Sequence, residues 1–84
     1  MSKEPPIPVD RVLDLKGEVC PYTFVKSKLE LENMQGGQLL SIIVDNGDSA
    51  SNVPRSLDLE GHEVLQVERG STAVWNIVVR KAGG

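Results

Sequence analysis

Cys20 is the single cysteine of the chain, and it stands directly before Pro21 at the start of a stretch patterned as a helix. The run Leu13-Asp14-Leu15-Lys16-Gly17-Glu18-Val19-Cys20-Pro21 passes from strand to turn to thiol to helix entry. A helix N-terminus carries unpaired N–H groups and the positive end of the helix dipole, and both favour thiolate over thiol. As the helix N-cap, Cys20 would place its sulfur near the amides of Tyr22 and Thr23, since Pro21 has no N–H to give. A thiol so placed serves as a nucleophile. The position alone also fits a small buried residue, because free cysteines are among the most buried of all residues.

The other chemically capable side chains lack company. His62 has no second ligand or base within motif spacing and reads as a satisfied or surface histidine. Asp14 and Asp45 close strands and read as turn or cap residues. Lys26 and Lys28 read as a solvated helix face. With one cysteine there is no internal disulfide, and no cysteine–histidine cluster offers a metal site, so no cofactor or metal is expected.

The elements that would hold Cys20 follow from periodicity. Val9 to Leu15 has the content of a short strand, and Gly17 permits a tight turn after it. From Pro21 a helix is predicted with Phe24, Val25, Leu29, Leu31 and Met34 on its apolar face and Lys26, Lys28, Glu30 and Glu32 in water, ending at Gly36-Gly37. Leu39 to Asp45 reads as a largely buried strand. Asn46-Gly47-Asp48-Ser49 is a turn carrying N-cap candidates, and a second helix follows with Ala50, Val53 and Leu57 inward. Pro54 is tolerable there only near the first turn. Gly61 closes that helix. His62 to Arg69 and Ala73 to Lys81 are two further strands joined by a tight Gly70-Ser71 hairpin, with Gln66, Glu68, Asn76 and Arg80 alternating against Leu65, Val67, Ile77 and Val79. The order is β-α-β-α-β-β: a two-layer α/β (α+β) sandwich, with a four-stranded mixed sheet and two helices on one face.

The 84 residues make one small domain, able to bury roughly 60–65% of its unfolded surface. A hydrophobic fraction of 39% and a charged fraction of 25% fit a folded soluble chain. The net charge of −3 argues against direct binding of nucleic acid. The longest apolar streak, Leu39 to Val44, is broken by Ser41 and is too short to span a bilayer. Residues 1–8, with three prolines and no signal-peptide stretch, read as a flexible leader; 9–82 as the domain; 83–84 as a frayed tail. A cytoplasmic location is expected, where a lone thiol stays reduced.

The pattern around Cys20 resembles the TusA (SirA-like) family of sulfur-carrier proteins. The likeness rests on Leu13-Asp14-Leu15-Lys16-Gly17 leading into Cys20-Pro21, on Asp45, on Gly61-His62-Glu63 and on Arg80-Lys81-Ala82-Gly83-Gly84. The resemblance implies the same β-α-β-α-β-β fold. It also implies a sulfurtransferase-type role, in which Cys20 accepts sulfane sulfur as a persulfide and passes it on in a relay. Gly17, Pro21, Tyr22 and Thr23 would support the thiol. The implied partners are a cysteine desulfurase or other sulfur-donor protein and a downstream acceptor protein, with pathways such as tRNA thiolation open.

The family motif is Cys-Pro-x-Pro, whereas this chain reads Cys20-Pro21-Tyr22-Thr23. Thr23 carries an N–H that proline lacks, so the Cys20 thiol is expected to be at least as acidic as in a chain with both prolines. Two other readings stay open. One is a non-catalytic binding or regulatory module of the same fold. The other is a carrier that uses the terminal Gly83-Gly84 as a thiocarboxylate.

Overall fold

The computed structural model describes residues 9–19, 22–70 and 73–83. Their elements are β1 (Arg11–Asp14), α1 (Tyr22–Glu32), β2 (Leu39–Val44), α2 (Gly47–Leu59), β3 (Glu63–Arg69) and β4 (Trp75–Arg80), in the expected β-α-β-α-β-β order. The sheet runs β1-β2-β4-β3, with β1 parallel to β2 and β4 antiparallel to both β2 and β3. The α/β sandwich with a four-stranded mixed sheet is therefore as the sequence reads.

β1 is shorter than Val9 to Leu15, but backbone bonds bracket it at both ends. The Asp10 amide donates to the Leu39 carbonyl at 2.9 Å, and the Leu15 amide to the Ile43 carbonyl at 2.8 Å. The Asp10 carboxylate in turn accepts the Leu39 amide at 2.8 Å. A strand this short gains its pairing from these flanking contacts rather than from length. β4 is shorter than Ala73 to Lys81, running from Trp75 to Arg80. Ser71, half of the expected hairpin pair, lies outside the described residues; the Gly70 amide closes that hairpin on the Val74 carbonyl.

The core lies between the sheet and the helices. Leu40, Ile42 and Val44 of β2 and Ile77 and Val79 of β4 meet Leu31 of α1, Met34 just after it, and Ala50, Val53 and Leu57 of α2. β3 departs from simple alternation. A register shift between Val64, which pairs with Val79, and Gln66, which pairs with Val78, leaves Leu65 as the inserted residue; Leu65 and Val67 are substantially exposed, while Ile77, the partner of Val67, is buried. A bulge of this kind breaks the two-residue period, so the pattern read from sequence holds only on either side of it.

Two helix expectations are corrected. Leu31 and Met34 are buried as expected, but beside Leu31 α1 turns inward Thr23 and Ser27 rather than Val25 and Leu29, which are 43% and 54% exposed. The buried line steps by four residues, and its small hydroxyl residues let α1 come close to its neighbours. Burial is tolerated because both hydroxyls are bonded: Ser27 Oγ donates to the Thr23 carbonyl at 2.7 Å, and Thr23 Oγ1 lies 3.0 Å from Ser49 Oγ. The helix also ends at Glu32, four residues before Gly36. In α2, Pro54 is well beyond the first turn, and the helix runs through it. The missing N–H deprives Ala50 of an i→i−4 donor, a local loss that the surrounding burial of Val53 and Leu57 outweighs.

The C-terminal segment is tied to the body. The Gly37 amide donates to the Lys81 carbonyl at 3.0 Å, the Lys81 amide to the Gln38 carbonyl at 2.9 Å, and the Ala82 amide to His62 Nδ1 at 3.0 Å. That bond needs a neutral imidazole. Burial lowers the His62 pKa, the Lys81 ammonium lowers it further, and Glu60 works in the opposite direction.

Two measurements check these assignments. Leu31→Ala should lower unfolding free energy by about 2–5 kcal/mol, against less than about 0.5 kcal/mol for Leu29→Ala, by urea denaturation. Equal losses would mean that α1 is rotated. A folded-state pKa below 6.5 for His62 means that its contribution is complete above that value and is lost as pH falls through the lower folded pKa. The difference in urea midpoint between wild type and His62→Gln should therefore shrink as the solution is acidified.

Candidate functional site

The site is assembled where the loop after β1 crosses the end of β2 and the start of α2. Gly17 turns the loop with a φ of +89°, a backbone region that strains any residue with a Cβ. Its amide donates to Asp45 Oδ2 at 3.0 Å, and one residue later Glu18's carbonyl accepts from Asn46 Nδ2 at 3.1 Å. Asp14 folds the loop locally, with its Oδ1 taking the Lys16 amide at 3.0 Å. Asp14 and Asp45 are thus turn and tether residues, as their strand-end positions imply. A Cβ at Gly17 would meet nothing within 4 Å, so its requirement is conformational rather than steric.

α1 begins beside this loop. The Tyr22 amide donates to the Val19 carbonyl at 2.8 Å, and the Thr23 amide approaches the same oxygen at 3.4 Å. The sequence reading set the amides of both Tyr22 and Thr23 near the thiol; both donate to the Val19 carbonyl in the structure. Cys20 and Pro21 themselves lie outside the described residues, and so does the expectation that Pro21 opens the helix. The chain on each side of them is defined. Val19 and Tyr22 are each 60% exposed, and Thr23 is fully buried against Ser49. Of the expected supporting residues, Gly17 and Tyr22 are exposed, while Thr23 faces inward.

α2 supplies the opposite wall. Asn46 is its N-cap, extended at φ −141° and ψ 149°, and its Oδ1 accepts the Ser49 amide at 2.8 Å. Asn46 therefore uses both ends of its side chain, one on its own helix and one on the Glu18 carbonyl. Sequence reasoning placed Asn46 and Ser49 in a turn carrying N-cap candidates and missed the contact of Ser49 with Thr23. The Asn46-x-x-Ser49 spacing was the available signal for the cap. Nothing in the spacing pointed from Ser49 to Thr23.

The electrostatics are mixed. α1 has no acidic residue in its first turn, whereas α2 has Asp48 in its own. Lys26 is paired with Glu18 at 2.9 Å across the mouth of the loop. Lys28 reaches Glu60 at 3.7 Å, so both lysines are solvated, weakly paired surface charges. Along α1, Tyr22, Val25 and Leu29 continue the exposed apolar surface of Val19 at spacings of three and four residues. Among the described residues no three histidine, cysteine, aspartate or glutamate side chains gather to hold a metal ion.

A β-α-β-α-β-β sandwich whose one cysteine follows a tethered loop and precedes a helix defines a class of small thiol-bearing α/β proteins. The model of the sulfurtransferase TusA family matches residues 11–81, and the chain belongs to that family. It is 47% identical over 75 residues to a candidate sulfur carrier protein of Archaeoglobus fulgidus, covering 89% of this chain and 85% of that one. A Thermotoga maritima protein of the same description is 36% identical over 72 residues, covering 86% and 91%. TsuB of Escherichia coli K12, also named as a candidate sulfur carrier, is 31% identical over 74 residues, covering 88% and 99%. Among solved structures, a SirA-like protein of Desulfitobacterium hafniense superposes with a TM-score of 0.77 at 20% identity, over 86% of this chain and 97% of that one.

Gly17→Ala should destabilise the protein by about 1–2 kcal/mol through backbone strain alone, measured by denaturant unfolding. A loss below a few tenths would show that the loop relaxes freely around the new side chain.

Proposed function

We propose that the protein is a sulfur carrier in which Cys20 bears the transferred sulfur as a persulfide. The observation that carries this reading is membership of the TusA family along almost the whole chain, in a sequence whose single sulfur nucleophile is Cys20. The relatives named as candidate sulfur carriers support it.

The chemistry is exchange at sulfur. The Cys20 thiolate attacks the terminal sulfur of a donor persulfide, a new S–S bond forms, and the donor's S–S bond breaks. The donor leaves as a thiolate, and Cys20 is left as a persulfide that ionises by giving the proton of its outer sulfur to solvent. The same exchange, run against an acceptor thiol, discharges it. No net oxidation occurs and no general base is needed, only a proportion of thiolate at neutral pH and access for two proteins in turn. The position of Cys20 before a helix start favours the first. Exposed Val19 and Tyr22 on either side, with Val25 and Leu29 beyond, supply an apolar apron suited to the second.

A cysteine desulfurase or another persulfide-bearing protein is the donor this chemistry requires, and a protein thiol the acceptor. A net charge of −3 argues that any contribution to tRNA thiolation runs through an acceptor enzyme rather than through RNA contact. We place the carrier in the cytoplasm, where the thiol would stay reduced. No helix among the described residues is long and apolar enough to cross a membrane.

Incubation with a cysteine desulfurase and cysteine, followed by intact-mass measurement, should show a reducible adduct of one sulfur atom. Cys20→Ser should abolish it, and deletion of Gly83-Gly84 should leave it unchanged. Loss of the adduct on deleting the glycines, with retention in Cys20→Ser, would transfer the role to a C-terminal thiocarboxylate. No adduct on the wild type from any of several desulfurases would favour a binding module.

A further inference from the structure

Two stretches that stand out in the sequence, Gly61-His62-Glu63 and Arg80-Lys81-Ala82, take no part in the reading of Cys20, yet the fold brings them together. Gly61 turns the chain out of α2 with a φ of +98°, and its amide donates to the Asp58 carbonyl at 3.0 Å. The His62 amide donates to the Leu57 carbonyl at 3.1 Å, so the backbone of His62 is fixed to the last turn of α2. The second stretch leaves β4 at the same end of the sheet, where Arg80 is the partner of both Glu63 and Leu39. Beyond Arg80 the backbone still holds Lys81, whose amide and carbonyl bond to Gln38 and Gly37. Ala82 has left that ladder. Its amide donates to a side chain, His62 Nδ1, at 3.0 Å.

That contact exists in one protonation state. Nδ1 accepts a hydrogen bond only while it carries no proton, which puts the ring proton on Nε2. A second proton at Nδ1 turns the acceptor into a donor aimed at the Ala82 donor, and it sets a cation beside the Lys81 ammonium. The elements that meet at the ring carry charges of both signs. α2 brings Glu60 at its C-cap, itself 3.7 Å from Lys28 of α1. β4 and its extension bring Arg80 and Lys81, and β3 brings Glu63, which is paired with Arg80. Burial and the Lys81 ammonium lower the His62 pKa, against the pull of Glu60, so the contact is closed at neutral pH.

We propose that His62 is an acid-sensitive latch on the C-terminal segment: its neutral imidazole docks the chain at Ala82, and protonation of Nδ1 frees the chain from Ala82 onward. The released length is short, because the backbone bonds of Lys81 to Gln38 and Gly37 do not titrate. The latch lies at the end of the sheet opposite the Gly17–Asp45 contact, since β2 runs from Leu39, beside Arg80, to Val44, just before Asp45. It therefore stands independently of the reading of Cys20.

The test is nuclear magnetic resonance of the isotopically labelled full chain from neutral to mildly acidic pH. The backbone heteronuclear NOE of Ala82 reports how tightly that residue is held, and the His62 ring shifts report its protonation. On acidification the Ala82 NOE should fall from a value like that of Lys81 to one typical of a free chain end. The midpoint should coincide with that of the His62 ring, below 6.5, while Lys81 keeps its folded value. Lys81→Gln removes a neighbouring cation and should move the midpoint to higher pH; Glu60→Gln removes an anion and should move it lower. His62→Ala should show at neutral pH the low Ala82 NOE of the acidified wild type, with no transition. An Ala82 NOE that stays constant through the His62 titration overturns the latch, as does a transition that persists in folded His62→Ala. A midpoint that moves the same way in both charge variants overturns it equally, and these wild-type and charge-variant readings decide the matter even where His62→Ala fails to fold.

Discussion

The hydrogen bond from the Gly17 amide to the Asp45 carboxylate is the contact on which the rest of the site depends. It joins the loop leaving β1 to the residue leaving β2, two strands already paired in parallel by Leu13 with Ile42 and Asp14 with Ile43. A parallel pair has no hairpin to fix its ends, so something else must bring the two exits together. The carboxylate does so at a point where Gly17 has turned the chain with a positive φ. One residue on each side, Asn46 binds the Glu18 carbonyl and repeats the join. From there both helices start within reach of each other.

That geometry explains why α1 buries hydroxyls where its sequence offers valine and leucine. If α1 were rotated to bury Val25 and Leu29, Thr23 would swing away from Ser49 and the two helix starts would separate. Burying apolar side chains is worth roughly 25 cal/mol per Å², so leaving Val25 and Leu29 half in water forgoes real stabilisation. The loss is bounded because neither would have been fully exposed on a helix lying against a sheet. The core retains Leu31, Met34 and the β2–β4 aliphatics. Buried hydroxyls cost little when each has a partner, as Thr23 and Ser27 do.

The legible part of this molecule was its periodic part. β2, with apolar residues in both registers, and α2, with Ala50, Val53 and Leu57 on one side, followed directly from spacing. The order and type of all six elements were readable for the same reason. What could not be read were features that depend on partners distant in sequence. The face of α1 was set by Ser49, twenty-six positions after Thr23, and hydroxyl residues in a helix give no periodic signal when they pair across elements. The bulge at Leu65 is equally silent, because one inserted residue changes the face of a strand without changing its composition. At the site, Gly17 and the cap at Asn46 were visible as local turn chemistry, but the common footing they share with Ser49 exists only in three dimensions.

The same contrast bears on the departure from the Cys-Pro-x-Pro pattern that the chain resembles. A proline fixes φ and thereby stiffens a helix entry from within, at the cost of a backbone donor. Threonine offers no such restraint, and by intrinsic propensity it is a poor helix former. Here it compensates by a bond outward, to a hydroxyl on the neighbouring helix. Stiffness supplied by a ring is a property of one residue. Stiffness supplied by a hydrogen bond between two helices is shared, and it makes the start of α1 depend on how α2 sits.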